Sequence, residues 1–358
     1  MSRPTTAVID TQAFIANYRH AKSLAPDSRA LAVIKANAYG HGAVQLARAL
    51  GDEADAFGVA CSEEAMELRE SGIANPIALL EGVFDPAEIG NAALHDLSVA
   101  IHSPVQLDWL LSARPVRPLR VWLKVDTGMH RLGFAPHELH AVYRQLVDSP
   151  NVRDVVLMSH FACADETANP ATTNQLARFE RAIDGIEGAR SLANSAAVMA
   201  WPATHGDWIR PGIMLYGSSP LDGDTQQSTA LSPVMRLESR LIAIHDLAAG
   251  EAIGYGARYV CDRPTRVGVV AIGYADGYPR HAPDGTPVVV NGRRTQLIGR
   301  VSMDMLTVDL STQAEARIGD PVQLWGDQLS ANEVAARCDT ISYELFTRIT
   351  RRVHCRYR

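Results

Sequence analysis

A lysine set directly behind four apolar residues is a chemically unusual object. In Leu31-Ala32-Val33-Ile34-Lys35 the ammonium follows what reads as a buried strand, where an unpaired charge is costly and an amine pKa falls readily. Two readings are open for it. It is a Schiff-base lysine that bonds to a carbonyl carbon, or a long side chain that snorkels its charge to a rim. Other reactive residue types recur at the ends of similar apolar runs: Glu81, His102, Lys124, Asp126, His160, Ser195 and Arg210. Bland readings stand beside them. Ser195 reads equally well as a helix N-cap in Asn194-Ser195-Ala196-Ala197. Arg210, ahead of Pro211-Gly212, reads as a surface residue, and Tyr255 in Gly254-Tyr255-Gly256 as a packed aromatic on a turn.

The elements behind these residues have a rhythm. Short apolar runs occupy Ala30 to Lys35, Ala56 to Ala60, Pro76 to Glu81, Leu97 to His102, Val121 to Asp126, Val155 to His160, Arg190 to Asn194 and Trp208 to Arg210. Between most of them lie helical patterns, as in Glu63 to Glu70, Val105 to Leu111 behind a Ser103 cap and Pro104, and Pro136 to Val147. Eight strands alternating with helices predict a (β/α)8 barrel of the TIM type over residues 1–228. A doubly wound sheet has the same local pattern. Beyond that the texture changes to strand-like runs parted by turns, from Leu237 to Ile244 through Val322 to Trp325. Asn291-Gly292 after Val288-Val289-Val290 is a strong hairpin signal. Residues 229–358 therefore read as a mainly antiparallel β domain, with the extreme N-terminus free to pair with it.

Composition narrows the partners. The 358 residues are 47% hydrophobic and 21% charged, as in ordinary globular chains, with a net charge of -6 and no long basic block to meet nucleic-acid phosphates. No apolar stretch is long enough to span a bilayer, and Met1 to Asp10 lacks the pattern of a signal peptide. The five cysteines are scattered without a CxxC pair, which fits reduced thiols in a cytoplasm and gives no support for a metal site. A small molecule is the expected ligand.

The surroundings of Lys35 go further. Val33-Ile34-Lys35-Ala36-Asn37-Ala38-Tyr39-Gly40-His41-Gly42 resembles the signature of the alanine racemases, pyridoxal-phosphate enzymes of fold type III. The resemblance continues in Leu123-Lys124-Val125-Asp126-Thr127-Gly128-Met129-His130-Arg131-Leu132-Gly133, Ser159-His160-Phe161-Ala162 and Asn194-Ser195-Ala196. It runs on through Arg210-Pro211-Gly212-Ile213, Gly254-Tyr255-Gly256, Gly273-Tyr274-Ala275-Asp276-Gly277 and Gly299-Arg300-Val301-Ser302-Met303-Asp304, nearly the whole chain.

That resemblance implies a cytoplasmic homodimer with pyridoxal 5'-phosphate, interconverting L-alanine and D-alanine with two bases. Lys35 would bind the cofactor and act on one face of Cα, and Tyr255 of the partner subunit on the other. Ser195, the amides of Gly212 and Ile213, and the hydroxyls of Tyr39 and Tyr343 would hold the phosphate. Arg210, with His160, would face the pyridine nitrogen; an arginine donates there without giving up its proton. Arg131 and the Met303 backbone would take the substrate carboxylate. Lys124 matches a lysine that many relatives carry as a carbamate; the alternative is a plain lysine paired with Asp126. Asp165, Tyr274, Arg280 and Arg300 match a substrate corridor. Ser302 and Met305 depart from residues common in relatives. A serine or broad-specificity racemase of the same fold is the alternative activity, and a non-catalytic cofactor-binding barrel a more distant one. Biosynthetic and catabolic roles for D-alanine are not separable on these residues.

Overall fold

The computed structural model describes residues 3–221 and 226–358. The first two residues of the expected barrel segment, and 222–225 within it, lie outside the described residues. After β1 (Thr6–Ile9), eight parallel strands form one sheet: β2 (Arg29–Val33), β3 (Ala56–Val59), β4 (Ile77–Leu79), β5 (Leu97–Ile101), β6 (Leu119–Lys124), β7 (Val152–Met158), β8 (Ala189–Ser191) and β9 (Trp208–Ile209). Their order is β8-β7-β6-β5-β4-β3-β2-β9. The two ends of that path approach each other, with Asp207 N donating to Arg190 O at 3.0 Å and Ser191 Oγ to Trp208 O at 2.9 Å. The result is a nearly closed TIM-type barrel, and the doubly wound alternative is excluded. Each expected run overlaps one barrel strand. The runs read as unbroken apolar stretches because helices cover the outer face and side chains fill the inner one; every residue of β4 and β5 is buried.

The second sheet comprises β10 (Met235–Leu247), β13 (Thr265–Val270), β14 (Pro287–Val290), β15 (Arg293–Gln296), β16 (Leu306–Asp309), β17 (Pro321–Trp325) and β18 (His354–Tyr357), joined by β1. A separate ribbon pairs β11 (Ala252–Ile253) with β12 (Tyr259–Val260). β10 is the spine: it pairs antiparallel with β1, β13 and β17. β1 also runs parallel to β18. At the β14–β15 hairpin, Asn291 and Gly292 have φ of 49° and 74°, the two positive angles of a type I′ turn.

The chain after β17 differs from the expected pattern of strands and turns alone. Two helices, Ala331–Arg337 and Ser342–Thr347, intervene before β18. The second packs against the barrel mouth so tightly that a Cβ at Gly40 would collide with the Phe346 carbonyl. It thereby brings Tyr343 to 5.7 Å from Tyr39, centroid to centroid. Among the described residues no helix is long and apolar enough to cross a membrane.

Candidate active site

The C-terminal strand ends open into a cavity of about 720 Å³. Lys35 follows β2, Glu81 follows β4, Lys124 ends β6, His160 follows β7, Ser195 follows β8 and Arg210 follows β9; all line it. Arg131, Tyr39, Gly212, Ile213 and Tyr343 complete the expected set. His102 and Asp126 stand off the lining. The Asp126 carboxylate accepts amides of Gly128, Met129 and His130 at 2.9–3.1 Å, so it caps its own turn. The pairing of Asp126 with Lys124 is therefore not formed.

Lys35 sits at the start of a strained turn. Ala36, Asn37 and Ala38 have φ/ψ of 51/50°, 53/48° and 52/52°, and Tyr39 has φ 51°. Four left-handed non-glycine residues in a row cost roughly 1–2 kcal/mol each. Specific partners hold them. Glu64 accepts the Ala36 amide at 2.6 Å on one oxygen and the Ala60 amide at 2.8 Å on the other. Asn37 Oδ1 takes the Ala43 amide at 2.9 Å, and His41 Nδ1 lies 2.9 Å from the Tyr39 carbonyl. Burial lowers the His41 imidazole to about 4, so it is neutral and Nδ1–H donates. The anchorage fixes Lys35 beside Glu81, Nζ to Oε1 3.8 Å.

Arg210 is 5% exposed, not the surface residue its Pro-Gly context allowed. Its Nη1 donates to Ser191 Oγ at 2.7 Å, and its Nη2 to Ser159 O at 2.7 Å and His160 Nδ1 at 3.1 Å. Among the described residues Nε–H has no acceptor, although the side chain lines the cavity. Burial and the positive charges of Arg210, Lys124, Arg131 and Lys35 push His160 well below the ordinary imidazole range. The ring is neutral and accepts from Arg210. Burial lowers the guanidinium only to about 10, so it stays charged at neutral pH. Gln175 steadies the pair, donating to His160 O at 2.9 Å and accepting from Ala162 N at 2.9 Å.

Ser195 is not the helix N-cap. That role falls to Asn194, whose side chain accepts from Ala197 N at 3.0 Å. Ser195 Oγ instead accepts the Gly212 amide at 2.8 Å. Ile213 opens a short 3-10 turn, Ile213–Tyr216, so its amide has no acceptor within that turn. Tyr39 closes over this corner: a Cβ at Gly212 would sit 2.8 Å from its Oη. Burial raises the Tyr39 and Tyr343 hydroxyls, which keeps both as donors. A cradle of hydroxyls and the free Ile213 amide at one end, and a buried charged N–H at the other, fits pyridoxal 5'-phosphate from phosphate to ring nitrogen. Charge agrees. Four cations (Lys35, Lys124, Arg131, Arg210) face two carboxylates (Glu81, Glu344) around the cavity, a surplus suited to an anionic ligand.

Lys124 is 8% exposed. Burial first, then the charges of Arg210, Arg131 and Lys35, lower its amine to about 8. Tyr255 and Met303 do not line this cavity. They are 71% and 52% exposed on the β domain, so Tyr255 is not a packed turn aromatic. Asp165, Tyr274, Arg280 and Arg300 are also absent from the lining. Glu64, Gln175 and the neutral His41 carried no role in the sequence reading. Glu64 falls on an amphipathic helix, Ser62–Glu70, where an acidic residue looks like solvent face. No spacing within the sequence marks its contact with Ala36.

Comparison with known proteins completes the picture. The model of the alanine racemase N-terminal domain matches residues 9–220, and that of the C-terminal domain residues 234–357. An alanine racemase of Chromohalobacter salexigens is 55% identical, with 100% of this chain and 99% of that protein covered. A catabolic alanine racemase of Pseudomonas putida is 53% identical over 98% of both. The crystal structure of the biosynthetic alanine racemase from Pseudomonas aeruginosa superposes with a TM-score of 0.97 at 52% identity, covering 99% of each chain.

Proposed function

The chain belongs to the alanine racemase family, and from that premise we propose that its cavity interconverts L-alanine and D-alanine with pyridoxal 5'-phosphate. The observation that carries this reading is Arg210, a buried, charged cavity-lining residue whose Nε–H is unused among the described residues, beside a neutral His160. Bound pyridoxal phosphate would act as an electron sink that makes the substrate's Cα proton removable. Arg210 would donate to the ring nitrogen without protonating it, which would keep that sink moderate and favour simple proton exchange over decarboxylation or transamination. The serine-selective alternative is not favoured.

The residues divide the work. Ser195, Gly212, Ile213, Tyr39 and Tyr343 would hold the phosphate, and Lys35 Nζ would hold the aldehyde carbon. Arg131 takes the substrate carboxylate. Racemisation requires a proton to leave one face of Cα and another to arrive on the opposite face. Lys35 Nζ serves one face. Tyr255 Oη serves the other, and since Tyr255 is exposed and off its own cavity, it comes from a partner subunit of a cytoplasmic homodimer. Met303 accompanies it. Residues 229–358 thus contribute to both sites of one dimer, Tyr343 to the cavity of the barrel 1–228 in its own chain, and Tyr255 and Met303 to the other. The test is direct: purified protein loaded with pyridoxal phosphate converts L-alanine to D-alanine, measured with a D-amino-acid-specific oxidase. A loaded dimer that forms no D-alanine, or prefers L-serine, rejects the reading.

Lys124 bears a carbamate in this reading. Its neutral amine attacks the carbon of CO2, an N–C bond forms and a proton leaves the nitrogen, so a cation among cations becomes an anion that orients Arg131. With the amine at about 8, the reactive neutral form rises from about a tenth at pH 7 to about nine tenths at pH 9. A carbonyl signal from 13C-bicarbonate should grow over that range and vanish in Lys124→Ala. That variant should raise the KM for alanine more than it weakens cofactor binding. No carbamate signal at pH 9 removes the modification from the scheme.

A further inference from the structure

Asp276 is 0% exposed and its carboxylate serves segments from both ends of the chain. Oδ2 receives Arg3 Nη2 at 2.6 Å and the Gly273 amide at 2.9 Å. Oδ1 faces Arg352 Nε at 3.5 Å. A buried carboxylate is tolerated only with such partners. Nothing in the chemistry above uses this cluster.

Its neighbours explain its placement. The turn Tyr274–Asp276 lies against the loop that carries Met303: Tyr274 N donates to Ser302 O at 3.1 Å and Ala275 N to Met303 O at 3.0 Å. The approach is so close that a Cβ at Gly273 would collide with the Ser302 and Met303 carbonyls. The same two arginines reach past Asp276 to the next residue of that loop. Arg3 Nη2 donates to Asp304 O at 3.0 Å, and Arg352 Nη2 to Asp304 Oδ1 at 2.6 Å. The carbonyls of Ser302, Met303 and Asp304 are all engaged. Among the described residues the Met303 amide has no acceptor, and Met303 is exposed.

We propose that Asp276, gripped by Arg3 and Arg352, is a positioning residue that holds the Met303 loop so that its amide is presented for the substrate carboxylate. The proposal rests on the reading of Met303 given above. The clamp closes only when the N-terminal arm is docked, through β1 on β10 and β18. Arg3 thereby acts on substrate affinity from 300 residues away in sequence. It touches neither substrate nor cofactor.

Arg3→Gln tests this in the full dimer. Arg3 is about a third exposed, so the variant should fold, and its far-ultraviolet circular dichroism should match the parent. The KM for L-alanine should rise about five- to tenfold with kcat changed less than about twofold, the signature of a lost binding contact. Hydrogen exchange of the Gly273, Tyr274 and Ala275 amides, which bond to Asp276 and to the Ser302 and Met303 carbonyls, should accelerate about tenfold, with cofactor affinity unchanged. Arg3→Lys should restore part of both effects, and Arg352→Gln should repeat them. Unchanged exchange in both Gln variants overturns the clamp. Faster exchange with an unchanged KM keeps the clamp but overturns the reading of Met303, and with it the substrate role proposed here.

Discussion

Replacing Lys35 with alanine should lower racemisation by at least about 10⁴-fold, because the group that binds the cofactor and one of the two proton-transfer bases are lost together. The fold should survive. Lys35 makes one loose contact, with Glu81 at 3.8 Å, and a half-exposed pair of that kind is worth about 0–1 kcal/mol. The turn behind it is held by Glu64, Asn37 and His41, none of which touches the ammonium. The decisive measurement is chemical. Borohydride reduction of the loaded protein, followed by peptide mapping, should place the cofactor on Lys35 and on no residue of the alanine variant. Lys124 is the competitor to exclude, since it shares the cavity and its amine is lowered to about 8. The charges of Arg210 and Arg131 bear on it, whereas Lys35 starts the turn that carries Tyr39 onto Gly212. A label on Lys124 in the parent protein would overturn the assignment.

The barrel was legible because its strands are buried on both faces and appear as unbroken apolar runs. Each reactive side chain then followed from its place at a strand end. What the sequence hid is of two kinds. Some elements depend on remote partners: the sequence left the extreme N-terminus free to pair with the β domain, but which strands flank β1 (Thr6–Ile9) was hidden, because β10 and β18 lie more than 220 residues away. Other features contradict local propensity. Ala36, Ala38 and Tyr39 have no intrinsic preference for the left-handed region, and only Asn37 tolerates it readily. That turn exists because Glu64, on the helix after β3, supplies an acceptor for the Ala36 amide. The choice left open at Ser195 has a similar origin. A serine one position inside a helix looks like its cap, and only the arrival of Gly212 shows where the hydroxyl goes.

Mixing Lys35→Ala with Tyr255→Ala subunits should restore activity that neither variant has alone. Tyr255 occupies a turn between Gly254 and Gly256, whose φ of 68° and 76° lift it off the β11–β12 ribbon. It is 71% exposed, a large aromatic left in water with its own barrel's cavity lined entirely by other residues. A base must face Cα from the side opposite Lys35, and a two-fold dimer supplies one to each site from the other chain. In a heterodimer one site then collects both substitutions and the other collects neither. With random exchange about half the dimers are mixed and each keeps one intact site, so activity should return to about a quarter of the parent value. Subunits must truly exchange, by co-expression with two tags and purification through both. The doubly tagged species alone should then show about half the parent activity per dimer. If that species is inactive, Lys35 and Tyr255 act within one chain or do not act as a pair, and the exposed Tyr255 needs another explanation.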